Sequence, residues 1–168
     1  MNAQAISHIA LCVTDLDRSV HFYRDLLGFE LLEAGIEDEI VAPQRVLYEK
    51  HDRKFRFAAL RCDGANFRPS GEHVSPPGGR AALLVLIAPQ DAGPSGTAIK
   101  LDQVGISHIG FWVNGLDAIH ATLSSHGVDV VVPPHDLNVT ARETVRSAFV
   151  ADPDGILIQL DEVLRAPS

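Results

Sequence analysis

The stretch ISHIALCVTDLD, residues 6–17, is written a second time as ISHIGFWVNGLD, residues 106–117. Without a gap, 7 of the 12 positions are identical: Ile, Ser, His, Ile, Val, Leu and Asp. Self-similarity at a fixed offset is the mark of a duplicated structural unit. Each copy carries one histidine inside a run of apolar and β-branched residues, which is the pattern of a strand. Each is then followed by a cap residue and a helical period. The repeat therefore predicts a unit that starts strand–helix, is built twice, and places one imidazole in each copy.

Working outward from the first copy, AISHIALCV (5–13) reads as a strand and TDLDRSVHFYRDLLGF (14–29) as a helix. Thr14 or Asp15 is its cap, and Leu16, Val20, Tyr23 and Leu27 fall at helical spacing. Gly28 closes it in the manner of a C′ glycine. Short strand candidates follow at 29–34, 45–49 and 54–61, then the apolar run AALLVLIA at 81–88. From the second copy, GISHIGFWV (105–113) is a strand and NGLDAIHATLSSHG (114–127) a capped helix. VDVVV (128–132), TVRSAFVA (144–151) and ILIQLDE (156–162) supply strands, with DPDG (152–155) as a turn before the last. The expected fold is α+β: two tandem βαβββ modules, each a half-barrel, closing on a shared cavity. Residues 1–90 form the first module, 91–103 a linker of turn-forming composition, and 104–168 the second, within one structural domain. The aperiodic segment 61–80 is expected to be a loop or lid.

Composition narrows the function classes. The 168 residues suffice for one ordinary domain, and 46% hydrophobic with 21% charged residues describes a globular chain. A formal charge of −8 with no basic stripe argues against a nucleic-acid partner. AALLVLIA is too short to span a bilayer, and MNAQAISH lacks the basic start of an export signal. Cys12 and Cys62 make no disulfide framework, and Cys12, inside a strand, reads as a small buried hydrophobe. The expectation is a cytoplasmic protein acting on a small molecule. Phosphate loops, dinucleotide fingerprints and nucleophile–base pairs are not found in the sequence.

The segments HIALCVTDLDRSVHFYRDLLGFEL (8–31) and FVADPDGILIQLDE (149–162) resemble the vicinal oxygen chelate superfamily. That superfamily includes glyoxalase I, methylmalonyl-CoA epimerase, extradiol dioxygenases, and fosfomycin- and bleomycin-resistance proteins. The resemblance covers nearly the whole chain in two modules. It implies metal ligands on the first and last strand of each module. His8 and His108 match the two first-strand positions. At the last-strand positions, where relatives carry carboxylates, this chain has Val85 in the first module and Gln159 in the second.

Strand alternation groups the neighbours of each position. His8 shares its face with Ile6, Ala10 and Cys12, and His108 with Ile106, Gly110 and Trp112. Gln159 shares a face with Leu157 and Asp161, and Val85 with Leu83 and Ile87. Trp112 reads as a flat wall for a planar substrate, with Val85, Cys12 and Tyr48 as further substrate-contacting candidates. Two imidazoles and one oxygen donor resemble the two-histidine, one-carboxylate arrangement that holds non-haem iron(II). The resemblance to extradiol dioxygenases implies a divalent metal on His8, His108 and Gln159, Fe(II) first with Mn, Zn or Ni as substitutes. Gln for Glu makes a weaker ligand, and Gln159→Glu is expected to strengthen binding.

Two other readings stand beside this metal-dependent enzyme. Both carboxylate positions are lost, which suits a metal-free, drug-sequestering protein of bleomycin-resistance type in which the histidines are relics. A lyase or isomerase of glyoxalase type would need a base from elsewhere, such as Glu49, His51 or His73. His21, His120 and His126 are expected on the surface, and His51, His73 and His135 in or near loops. Arg56 and Arg146 face inward in one strand register and outward in the next. Relatives often pair, so a homodimer is expected.

Overall fold

The computed structural model describes residues 6–37, 47, 54–62, 82–90, 93–140 and 143–164, with the side chains of all but 138–140 and 143. The described residues divide into two compact units, one ending at Gly96 and the other beginning at Thr97.

In the first unit, β1 (His8–Cys12) leads into α1 (Leu16–Val20), then β2 (Glu30–Glu37), β3 (Phe55–Arg61) and β4 (Leu83–Pro89). The sheet order is β1-β4-β3-β2, with β1 parallel to β4 and the other pairs antiparallel. In the second unit, β5 (His108–Trp112) leads into α2 (Leu116–Ser125), then β6 (Val130–Thr140), β7 (Glu143–Ala151) and β8 (Leu157–Leu164). Its order is β5-β8-β7-β6, again with one parallel pair, β5 with β8. The α+β class and the duplicated βαβββ unit follow the reading of the repeat. The strand candidate at 45–49 and most of the 61–80 segment lie outside the described residues.

Each sheet packs one face under its helix. Alternation in β4 sends Leu84, Leu86 and Ala88 to the buried face, where α1 supplies Leu16 and the π-helical segment that continues it (His21–Leu26) supplies Phe22 and Tyr23. In the second unit Ile109, Ala148, Val150, Ile158 and Leu160 are buried, with Leu116 and Leu123 from α2. Burying a Leu, Ile or Phe side chain contributes about 1.5–3 kcal/mol each, so these rows set the sheet register. The other face of each sheet carries the more exposed partners: His8, Ala10 and Cys12 in β1, and a half-buried His108 with exposed Gly110 and Trp112 in β5. Cys12 is exposed, contrary to its reading as a buried hydrophobe. Period two puts it on the face away from the helix.

The first helix departs from plain α spacing. Asp15 caps it by accepting from the Arg18 backbone N–H at 3.1 Å. From His21 to Leu26 it continues as a π-helix, closed by Leu27 N–H donating to the Phe22 carbonyl at 3.1 Å. The wider turn lets two consecutive aromatics, Phe22 and Tyr23, both point inward. Their rings meet edge to face at 5.0 Å. Gly28, at φ 79°, ends the segment as expected.

α2, expected as a capped helix, takes its cap from another strand. Gly115, at φ 74°, precedes it and offers no side chain. Glu162 of β8 instead accepts from the Gly115 N–H at 2.6 Å and the Leu116 N–H at 3.0 Å. A carboxylate at a helix N-terminus satisfies unpaired donors and opposes the positive end of the dipole. β6 also runs past the expected 128–132 and contains Pro133 and Pro134. It is an edge strand, where a missing N–H can face away from the ladder.

Candidate functional site

The DPDG turn sets up the second unit's open face. Asp152 is buried, and its Oδ1 accepts from the Asp154 and Ile156 N–H groups at 2.9 and 2.8 Å. This fixes the start of β8, and every later β8 side chain follows by alternation. Gln159 then pairs with Gly110 on one side and Phe149 on the other, with Val132 beyond. The next row is Trp112, Asp161, Ser147 and His135. His108 lies beside Leu157.

Within this face Gln159 is the centre of a polar network. Its Nε2 donates to both carboxylate oxygens of Asp161, at 3.0 Å each, and to Ser147 Oγ at 3.3 Å. A carboxylate can only accept, so chemistry identifies the atom beside Asp161 as the amide nitrogen. Ser147 is fully buried on the neighbouring strand, and its hydroxyl stands beside this end of the amide. Trp112 is 42% exposed, giving the face a large accessible aromatic surface. A Cβ placed on Gly110 would meet nothing within 4 Å, so there is open room between His108 and Trp112.

Both repeat histidines are held in the same way. Ser107 Oγ and His108 Nδ1 share a hydrogen bond of 3.0 Å, and so do Ser7 Oγ and His8 Nδ1. The serine of each ISHI therefore holds the histidine that follows it. The His108 ring also packs edge-on against Phe149, with centroids 5.7 Å apart. Among the described residues, no three His, Cys, Asp or Glu side chains gather to hold a metal ion.

The first unit has the same frame with different chemistry. Ala10 pairs with Val85 and Val85 with Ala59, so Val85 occupies the place that Gln159 holds in the second unit. Cys12 pairs with Ile87, which thus stands where Asp161 does. Among the described residues the open face here is apolar around Val85, and the Gln159–Asp161–Ser147 network lies in the second unit. At its far end Arg61 donates to Glu30 across the paired strands. Tyr48, Glu49, His51 and His73 lie outside the described residues.

Arg56 and Arg146 take the other register and stand on the helix side. Arg56 donates to Asp17 of α1 at 2.7 and 3.0 Å. Arg146 donates to Asp117 of α2 at 2.8 Å and to Asp136 at 2.8 Å. The Arg56 hydrogen bond holds the Asp17 carboxyl below its ordinary range, and the Asp117 and Asp136 hydrogen bonds raise the Arg146 guanidinium. His21 and His126 are exposed as expected, while His120 is half-buried. His135 is on β6 rather than in a loop, and its Nδ1–H donates to the Pro133 carbonyl at 3.0 Å. Asp161 was visible as a same-face neighbour of Gln159, but its bond to that amide was not. Ser147 and His135 join the face only through strand pairing, which leaves no local mark in the sequence.

The comparisons with known proteins agree with this architecture. Residues 5–160 match the family model described as the Glyoxalase/Bleomycin resistance protein/Dioxygenase superfamily. No curated protein sequence matches the chain. Among solved structures, a glyoxalase family protein from Bacillus cereus superposes with a TM-score of 0.72 at 17% identity, covering 98% of this chain and 97% of that one. A glyoxylase/bleomycin resistance protein/dioxygenase domain from Frankia sp. EAN1pec gives 0.62 at 19% identity, covering 97% and 100%. The trypanothione-dependent glyoxalase I of Leishmania major gives 0.55 at 22% identity, covering 94% and 86%. Identities this low speak for the fold alone.

Proposed function

The chain belongs to the glyoxalase/bleomycin resistance protein/dioxygenase superfamily, and from that premise we propose that it is a divalent-metal enzyme acting on a small molecule that chelates through adjacent oxygens. The ligands are His8, His108 and Gln159, the placement that resembles extradiol dioxygenases. The observation that carries the reading is the Gln159 amide. Its nitrogen is turned to Asp161 and Ser147, so the atom left for a ligand is the carbonyl oxygen. The donor set fits a divalent cation in kind, two imidazoles and an amide oxygen, with Val85 contributing nothing.

The chain's own residues have definite tasks in this reading. With Nδ1–H donating to serine, each imidazole keeps its Nε2 lone pair for the metal. Trp112 stacks against a planar substrate, and Gly110 leaves it room beside His108. When bound, the metal supplies Lewis-acid polarisation of the substrate oxygens and a template for their geometry. Iron(II) is the first candidate, with Mn, Zn or Ni in its place. A homodimer in the cytoplasm is the working form carried over from the sequence reading, and sedimentation velocity tests the dimer.

Elemental analysis of tag-free protein, purified anaerobically without chelator, is the test. Near-stoichiometric metal is expected in the parent protein and none in His8→Ala/His108→Ala. Absence of metal in the parent after anaerobic iron(II) addition overturns the reading.

One observation favours a second reading, metal-free ligand binding. Val85, at the place Gln159 holds in the second unit, lies in an apolar row with Ala10 and Ala59. A planar aromatic compound that quenches Trp112, the single tryptophan, equally with and without chelator would support this second reading. The candidate bases for a lyase or isomerase, Glu49, His51 and His73, lie outside the described residues.

A further inference from the structure

Asp161 is a carboxylate on the open face of β8 whose partner among the described residues is an amide, Gln159. Both its oxygens receive the Gln159 amide nitrogen at 3.0 Å, and Ser147 Oγ lies 3.3 Å from the same nitrogen. The two N–H groups of one amide are thereby accounted for: one is shared between the carboxylate oxygens and one goes to the hydroxyl. The remaining polar atom, Oε1, is then the group that Gln159 can offer. In a protein interior an amide alone is free to turn either end outward. Beside a carboxylate it is not, because the flipped amide would set oxygen against oxygen.

We infer that Asp161 is a positioning residue, which with Ser147 locks Gln159 so that its carbonyl oxygen and not its nitrogen is presented to the ligand. The negative charge behind the amide also polarises it, drawing density toward Oε1 and making a neutral side chain a better oxygen donor. This deepens the cation-binding reading and rests on it for the choice of ligand: the site takes an electron-pair acceptor, a divalent cation. The first unit shows that the device is not a by-product of the fold. The equivalent places there hold Val85 and Ile87, and the sheet forms all the same.

The lock and the ligand are tested separately. In metal-free protein, the Gln159 side-chain amide resonances are followed by ¹⁵N–¹H correlation spectra in the parent, Asp161→Asn and Ser147→Ala. Asp161→Asn is expected to shift both amide protons and speed their exchange with solvent. Ser147→Ala should move them the same way by less, and it serves as the reporter if the first variant does not fold. Mn(II) titration should show affinity falling about 10–100-fold in Asp161→Asn, the usual scale for an outer partner of a metal ligand. The exchange Gln159→Glu/Asp161→Asn, which keeps a hydrogen-bonded pair and moves the charge to the ligand position, should restore affinity to the parent level or above. Unchanged Gln159 resonances in Asp161→Asn overturn the inference. Shifted resonances in a parent protein that binds no Mn(II) uphold the lock and overturn the cation as its ligand.

Discussion

Arg56 and Arg146 are the same residue of the repeat, each reaching from the third strand of its unit to the aspartate at the second position of its unit's helix. The Nη2–Oδ1 distances are 2.7 Å to Asp17 and 2.8 Å to Asp117. Each arginine stands three residues before the position paired with the last-strand site, Ala59 beside Val85 and Phe149 beside Gln159. The duplication therefore preserved a helix-to-sheet tie on one face while the opposite face diverged from Val85 to Gln159.

That tie makes acid stability a test. Asp17 has a folded-state pKa depressed chiefly by the Arg56 hydrogen bond. A depressed carboxylate contributes stability that is fully present above its unfolded pKa of about 3.9 and is lost as pH falls through the folded value. Arg56→Met should lower the urea midpoint at pH 6, and the gap to the parent protein should close as pH falls below about 4. A gap that persists unchanged at pH 2.5 would remove the ion pair as its cause.

Gly110 separates fold from site. Its Cβ would meet no atom within 4 Å, and its backbone is ordinary strand. Gly110→Val should leave the thermal midpoint within a few degrees, since open substitutions usually cost less than about 0.5 kcal/mol. The added side chain fills the room between His108 and Trp112, so binding of any planar ligand that quenches Trp112 should be lost. Isothermal calorimetry beside a melting curve reads both.

Glu162 caps α2 from another element. Removing a capping oxygen costs about 0.5–2 kcal/mol, typically near 1. Glu162→Ala should destabilise by that amount, and Glu162→Gln, which keeps one acceptor, by less. Amide exchange of Gly115 and Leu116 should accelerate before that of the β8 strand. Equal stability of all three proteins would assign the cap no role.

Gln159→Glu no longer promises a simple gain in metal binding. The new carboxylate would stand where an amide now lies 3.0 Å from Asp161, with two like charges meeting on a half-buried face. The single substitution should lower the melting temperature in metal-free protein, and saturating divalent cation should recover part of the loss. A variant as stable as the parent without metal would show that the two carboxylates avoid each other.

What the sequence determined by itself was the plan. The doubled ISHI, the alternation within β4 and β8, and the turn glycines Gly28 and Gly155 act over a few residues, and short-range physics writes them into local pattern. That was enough for two βαβββ units and for the face each histidine takes, while the resemblance to the vicinal oxygen chelate superfamily implied the places of Val85 and Gln159. Tertiary structure decided what depends on strands distant in the chain. It turned Arg56 and Arg146 to the helices, brought Glu162 to the α2 terminus, and set Ser147 beside Gln159 across 12 residues. It also set which end of the Gln159 amide faces Asp161. A side-chain amide has no local preference between its two ends. Only the carboxylate held against it by the sheet supplies the difference in energy.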